Sequence, residues 1–255
     1  MTVEFTAHNI RLDDGTFTRP DSTMSMVEYP WFISARRVLE TVFPGDKSQL
    51  RLADVGCLEG GYAVEFARMG FRVVGIEVRE SNIAACNYVK SKTDLPNLQF
   101  AWDNALNIAG YGVFDAVFCC GLFYHLDRPK EYLEIVSSVT KKLLILQTHF
   151  SLSESEGTDY GLSAPAENEG LVGRWFTEFV DDQAFNDRDA AKWKSWDNKQ
   201  SFWIQREYLL QAIQDVGFNL VMEEYSSLGP TIAASLSSDS YQKDLRGTFI
   251  GIKTP

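Results

Sequence analysis

Arg51-Leu-Ala-Asp-Val-Gly-Cys-Leu-Glu-Gly-Gly61 decides how this chain folds. Leu52, Ala53 and Val55 make a short apolar run that reads as a buried strand, and the glycines after it mark a tight turn into a helix over about 60–69. Working toward the C-terminus, Arg72-Val-Val-Gly-Ile-Glu-Val is a second strand and Ser81 to Ser91 a second helix with Ser81 as its cap. Leu98 to Trp102 is a third strand, and Phe114-Asp-Ala-Val-Phe-Cys-Cys120 a fourth. Tyr132, Ile135, Val136 and Val139 keep the spacing of an amphipathic helix, and Leu143-Leu-Ile-Leu is a fifth strand. Strands too apolar to face water on either side, alternating with helices, predict an α/β fold: a Rossmann-like, mostly parallel sheet with helices on both faces.

Toward the N-terminus, Trp31 to Val42 has helical spacing ended by Pro44-Gly45, and residues 1–30 read as an irregular polar arm. The alternation pauses over 151–204, an acidic, Gly- and Ser-containing insertion that carries Trp175, Phe176, Phe179, Trp193, Trp196, Phe202 and Trp203. So much aromatic area argues against a disordered linker. Leu209, Ala212, Ile213 and Val216 then repeat the helical pattern, with Gly217 placed to end it, and Leu220-Val-Met and Thr248-Phe-Ile-Gly-Ile read as an antiparallel hairpin at the sheet's edge. The expected organisation is an arm and helix over 1–48, a core over 49–150, the insertion over 151–204 and completion of the core over 205–255.

Composition narrows the function classes. The chain of 255 residues is 45% apolar and 23% charged, enough for one large α/β domain. Its net charge of −11, from 24 basic and 35 acidic side chains, argues against a large nucleic-acid footprint, because phosphate backbones are bound mainly by Lys and Arg. No apolar run reaches the length of a membrane span, and the first residues lack a secretory signal, so a cytoplasmic protein is expected. Cys57, Cys86, Cys119 and Cys120 show no zinc-ligand spacing.

The turn after the first strand carries the chemistry. A dinucleotide site needs Gly-x-Gly-x-x-Gly, and Leu58 stands where the second glycine would be, which opposes a nicotinamide-dependent oxidoreductase. What remains, Asp54-x-Gly56-x-x-x-Gly60, suits a nucleoside without a pyrophosphate, with Asp54 free to accept hydrogen bonds or offset positive charge. Glu77 closes the second strand with two acceptor oxygens suited to ribose hydroxyls, and Asp103, beside Asn104, follows the third with an acceptor for an exocyclic amine. Gly121-Leu122 follows the fourth. All stand at carboxyl ends of parallel strands, where open α/β sheets bind ligands.

Over residues 50–150 and 205–254 the chain resembles the class I S-adenosylmethionine-dependent methyltransferases. The resemblance rests on Asp54-x-Gly56-x-x-x-Gly60, Glu77, Asp103 and Phe114 to His125 in family order. It implies a seven-stranded sheet with a reversed last hairpin and S-adenosylmethionine as cofactor. It also implies Gly56 and Gly60 around the methionine moiety, Glu77 at the ribose and Asp103 at the adenine, with Cys57, Asn104, Gly121 and Leu122 lining the same site.

Methyl transfer to a hydroxyl needs a base, and His is suited to that near neutral pH. His149, just past the fifth strand, is the first candidate and His125, in Gly121-Leu-Phe-Tyr-His, the second, while His8 reads as incidental to the arm. The expected acceptor is a small molecule or sugar, enclosed by the insertion's aromatics. No metal is expected, since Asp181, Asp182 and Asp187 read as solvated carboxylates. The Gly-Leu-Phe-Tyr-His stretch also resembles tRNA wobble-uridine modifying enzymes that transfer a carboxymethyl group, a rival reading that the acidic charge opposes. A non-catalytic cofactor-binding module is the alternative outside enzymology.

Overall fold

Strand β1 (Arg51–Val55) lies parallel between β2 (Arg72–Glu77) and β4 (Phe114–Cys120), with Asp54 opposite Gly75 on one side and Phe118 on the other. β3 (Leu98–Trp102) extends the set through β2, placing Trp102 beside Glu77. The computed structural model describes residues 3–153, 160–225 and 245–255. With β5 (Thr140–His149), β9 (Leu220–Glu224) and β10 (Arg246–Ile252), the strands form a seven-stranded sheet of order β3-β2-β1-β4-β5-β10-β9. β10 and β9 pair antiparallel, the reversed hairpin the sequence predicts.

The helices are α1 (Pro30–Val42), α2 (Gly61–Arg68), α3 (Glu80–Ser91), α4 (Pro129–Val139), α5 (Asp182–Asn186) and α6 (Arg206–Asp215). Helix α1 begins on Pro30, whose ring fixes a helical φ and whose missing N–H would have had no partner there. Helix α3 starts one residue before Ser81, so Arg79, not Ser81, is its N-cap. Gly217 follows α6 with φ +104°, the left-handed position expected of it.

The insertion is not structureless. β6 (Ala166–Asn168), β7 (Leu171–Thr177) and β8 (Gln200–Ile204) make a separate three-stranded antiparallel sheet. Sequence periodicity misses it because β6 is three residues long and β7 alternates only in part. Residues 154–159 of the insertion and 226–244 of the C-terminal segment lie outside the described residues.

By contact density the chain resolves into two units, Met1–Cys119 with Val139–Leu143, and Cys120–Ser138 with Leu144–Pro255. The first has a core of Leu52, Val55, Val73, Ile76 and Val117 around an aromatic group in which Phe118 packs 5.0 Å from both Tyr62 and Phe66. The second buries Tyr132, Leu133, Leu144, Leu146, Phe150, Phe202, Leu209, Ile213 and Phe249. Each large apolar side chain so removed from water contributes about 1.5–3 kcal/mol. Among the described residues no helix is long and apolar enough to cross a membrane.

Candidate active site

In the first unit, the turn from β1 to α2 is fixed residue by residue. Gly56 and Cys57 both donate their N–H groups to the Ile76 carbonyl, at 2.9 and 3.0 Å, and Gly60 donates to Cys57 O at 2.8 Å. Leu58 has φ +53°, the left-handed region that costs a non-glycine residue energy, and it is held there from both ends. Its N–H donates to Glu77 Oε2 at 2.9 Å, and its carbonyl accepts from the Cys86 thiol at 3.2 Å. Gly60 has φ +79°, and a Cβ on it would stand 2.6 Å from the Phe100 ring. Only glycine meets both conditions.

Asp54 is 1% exposed and is the penultimate residue of β1. It accepts a backbone hydrogen bond from Ala63 in the first turn of α2, while its Oδ2 is buried with no hydrogen-bond partner. Burial pushes its pKa up to about 8 against the Ala63 hydrogen bond, and the neighbouring Glu77 adds to the rise. An orphaned, buried carboxyl oxygen beside a helix N-terminus fits a cationic ligand group, since a charge there would satisfy it and draw the proton off.

Glu77 is buried as well, and burial raises its pKa against the hydrogen bonds it accepts. Oε1 accepts from the N–H groups of Val78 and Arg79, at 2.9 and 2.8 Å, and Oε2 from Leu58. A carboxylate offers about four lone-pair sites, so three backbone donors leave little acceptor capacity for a ribose. Asp103 is similarly engaged: its oxygens accept from Asn107, at 2.7 Å, from the Tyr111 hydroxyl, at 2.8 Å, and from Asn104 N–H. Those bonds lower the Asp103 pKa, while burial and the carboxylate push Tyr111 up to about 12. Asn104 caps the short 3-10 turn Ala105–Tyr111 by accepting from Leu106 N–H. The Cys57 side chain lies in a buried cluster with Ile83 and Cys86, its Sγ 3.9 Å from Cys86 Sγ.

Sequence reasoning missed several residues here. Trp102, at the end of β3, is 62% exposed, with its indole N–H on the Val78 carbonyl at 2.8 Å, an open apolar face beside the β2 end. His8, read as incidental, is buried, and its Nδ1 accepts the Gly61 N–H at 3.0 Å. The arm is irregular as expected but ordered, because Glu59 of the turn draws its backbone in.

Gly121, Leu122, His125 and His149 belong to the second unit. Gly121 has φ +80° and donates to Gln147 O at 3.1 Å; the Gln147 side-chain oxygen accepts from Arg246 at 3.0 Å. Both histidines pack on Tyr124, with ring centroids at 4.2 Å for His125 and 4.6 Å for His149. His149 stacks on Trp203, 4.6 Å away and 12° from parallel, with its Nδ1 at 3.2 Å from Leu245 O. His125 meets a carboxylate: its Nδ1 lies 2.7 Å from Oε1 of Glu178, a residue 1% exposed. Glu178 is itself held by the Ser201 hydroxyl, at 2.9 Å, and by Ser195 N–H, at 3.2 Å. Glu178 lies 53 residues from His125, so no local pattern could pair them.

The insertion is bonded to this histidine turn. Phe202 N–H donates to Leu126 O at 2.8 Å and the Trp203 indole to Tyr124 O at 3.0 Å. Of the expected aromatic wall, Phe179, Phe202 and Trp203 are buried as packing, Phe176 stacks on Trp203 at 5.1 Å, and Trp193 is exposed. Trp196 and Phe185 carry the Arg188 guanidinium on their faces. Asp181 caps α5 and Asp182 pairs with Lys199. Among the described residues no group of three or more His, Cys, Asp and Glu side chains is placed to hold a metal ion.

Comparison with known proteins follows the same lines. A family model described as a methyltransferase domain matches residues 31–223. A candidate methyltransferase of Geobacillus sp. (strain WCH70) is 34% identical over 88 residues, 34% of this chain and 35% of its own, so the match spans about a third of that relative. Among solved structures, the N-terminal domain of EvdMO1, crystallised in the presence of S-adenosylhomocysteine and D-fucose, aligns with a TM-score of 0.64 at 21% identity, over 94% of this chain and 88% of that one. The glycopeptide N-methyltransferase MtfA, complexed with S-adenosylmethionine, aligns with a TM-score of 0.54 at 13% identity, over 88% and 94%. At these identities the structures share the fold.

Proposed function

The chain belongs to the methyltransferase-domain family, and from that premise we propose that it transfers the methyl group of S-adenosylmethionine to a hydroxyl of a small molecule or sugar. The bound donor supplies a methyl group already activated by its sulfonium. The chain's share is to bind, orient and deprotonate. The turn Gly56–Gly60 offers backbone to the methionine part of the donor, and the orphaned Asp54 Oδ2 an acceptor for its ammonium. Glu77 and Asp103 stand at the ribose and adenine positions, each with part of its acceptor capacity already used by the protein.

The single observation that carries hydroxyl chemistry is the His125–Glu178 pair at 2.7 Å. A buried carboxylate on Nδ1 fixes the ring's orientation and stabilises the imidazolium that forms when Nε2 takes a proton, the arrangement of an oriented general base. This reverses the ranking from sequence position: His125 is the proposed base, and His149, stacked on Trp203, a wall for the acceptor. EvdMO1, whose N-terminal domain was crystallised in the presence of D-fucose, supports a sugar-type acceptor.

The test is a labelled-methyl assay of purified chain against a panel of sugars and small hydroxylated and aminated compounds. Transfer to a hydroxyl that falls about 10²–10⁴-fold in His125→Ala supports the reading. Transfer only to amines, or a rate indifferent to His125, ends it.

A further inference from the structure

Neither Glu59 nor His8 has a role in the donor site described so far, yet both are buried against its turn, at 0% and 4% exposure. A carboxylate removed from water needs several donors, and Glu59 has at least four. Oε1 accepts from the Thr6 N–H, at 2.7 Å, and the Thr6 hydroxyl, at 3.0 Å; Oε2 accepts from Ala7 N–H, at 3.1 Å, and His8 N–H, at 2.8 Å. The arm is fastened again at the same residue, where Ala7 O accepts from the Tyr29 hydroxyl and the Arg19 guanidinium, at 2.8 and 2.9 Å. His8 then reaches α2 and accepts its first N–H, from Gly61. A Cβ on Gly61 would meet Met26 Sδ at 2.7 Å and the His8 ring at 2.8 Å, so the arm rests directly on the helix start.

The turn is therefore gripped from two sides. Glu77, Cys86 and Phe100 hold Leu58 and Gly60 from the core, and the arm holds Glu59 and Gly61 from outside. A non-glycine residue in the left-handed region, such as Leu58, persists only where its surroundings over-determine it. The gripped turn borders a buried carboxyl oxygen with no hydrogen-bond partner, Asp54 Oδ2, through the Ala63 N–H of the same helix start.

We propose that Glu59 and His8 are positioning residues for the methyl donor: through them the amino-terminal arm holds Leu58–Gly61 in its donor-binding conformation and sets donor affinity. The proposal rests on reading this turn as the S-adenosylmethionine site. His8 also occupies the Gly61 N–H, which an uncapped helix would present to an anionic ligand. The arm thus selects which helix-start donors the cofactor meets.

The experiment is calorimetric titration of S-adenosylhomocysteine into the full chain, with His8→Ala, His8→Asn and Glu59→Gln beside the wild type. His8→Ala removes the Gly61 acceptor and is expected to weaken binding about tenfold, the scale of one hydrogen bond. The donor KM should rise in step, and kcat should fall far less. His8→Asn sets an amide oxygen where Nδ1 stands and should return affinity to within about threefold of wild type. Glu59→Gln replaces an acceptor by a donor facing the arm's N–H groups and should weaken binding at least as much as His8→Ala. Loss of folding alone would lower the active fraction and kcat, leaving the affinity of the folded fraction unchanged. If Glu59→Gln does not fold, the comparison of His8→Ala with His8→Asn decides. Wild-type affinity in both His8→Ala and Glu59→Gln, or no difference between Ala and Asn at position 8, overturns the clamp. Absence of uptake by the wild type overturns the donor reading itself.

Discussion

The Leu58 N–H donates to Glu77 Oε2 at 2.9 Å, tying the turn after β1 to the end of β2 across 19 residues of sequence. One carboxylate therefore serves two loops, since its other oxygen collects the N–H groups of Val78 and Arg79. The turn's shape and the acceptor proposed for the ribose are one structural device.

Glu77→Ala should damage both at once. Three backbone N–H groups lose a charged acceptor, and hydrogen bonds to charged groups are each worth about 1.5–3 kcal/mol. We expect a lower melting temperature and S-adenosylhomocysteine binding weakened by about ten- to a hundredfold in calorimetry. Loss of affinity with no loss of stability would show that Leu58 does not depend on this bond.

Asp54 makes stability depend on pH in a defined direction. Its folded-state pKa, raised to about 8, lies above its ordinary 3.8, so between those values the folded chain keeps a proton the unfolded chain has released. The stability present below about pH 3.8 is therefore lost progressively as the pH rises, and the loss is complete above about pH 8. Asn does not titrate, so Asp54→Asn should gain in melting temperature relative to wild type between about pH 5 and pH 8 while binding donor more weakly. A difference flat with pH would mean that Asp54 titrates as an exposed carboxyl does.

Gly60→Ala adds a Cβ 2.6 Å from the Phe100 ring at a φ of +79°. Left-handed strain of about 1–2 kcal/mol and overpacking of about 1–3 kcal/mol point the same way. Urea unfolding should show a loss of about 2–5 kcal/mol, and a loss of only about 1–2 kcal/mol would mean that the Phe100 ring yields freely.

Glu178→Ala should lower kcat in the same direction as His125→Ala, and the double variant should be little worse than His125→Ala alone, because groups acting as a unit are not additive. His149→Ala should chiefly raise the acceptor KM. Additive losses at 125 and 178 would separate the two residues.

How much of this was legible in advance differs by element. The strands and helices from Arg51 to Leu146 were readable because runs such as Phe114–Cys120 must be buried and the spacing of Tyr132, Val136 and Val139 has one helical solution. The short strands β6 and β7 were not, since antiparallel pairing of Ala166 with Gly173 depends on a partner strand more than on local preference. Ser81 misled for a related reason: a good capping residue one position inside the helix looks the same in sequence.

The sequence alone determined the order of strands and helices from Arg51 to Leu146, the Asp54–Gly60 turn and the acidic residues at the ends of β2 and β3, because these follow from local burial pattern and from glycine's backbone freedom. Only the tertiary structure decided which of those acids have oxygens to spare, that Glu178 stands behind His125, and that the arm is drawn onto Glu59. Hydrogen bonds between residues tens of positions apart leave no periodic trace in a chain, and the need of buried charges for partners is met in space and not in order.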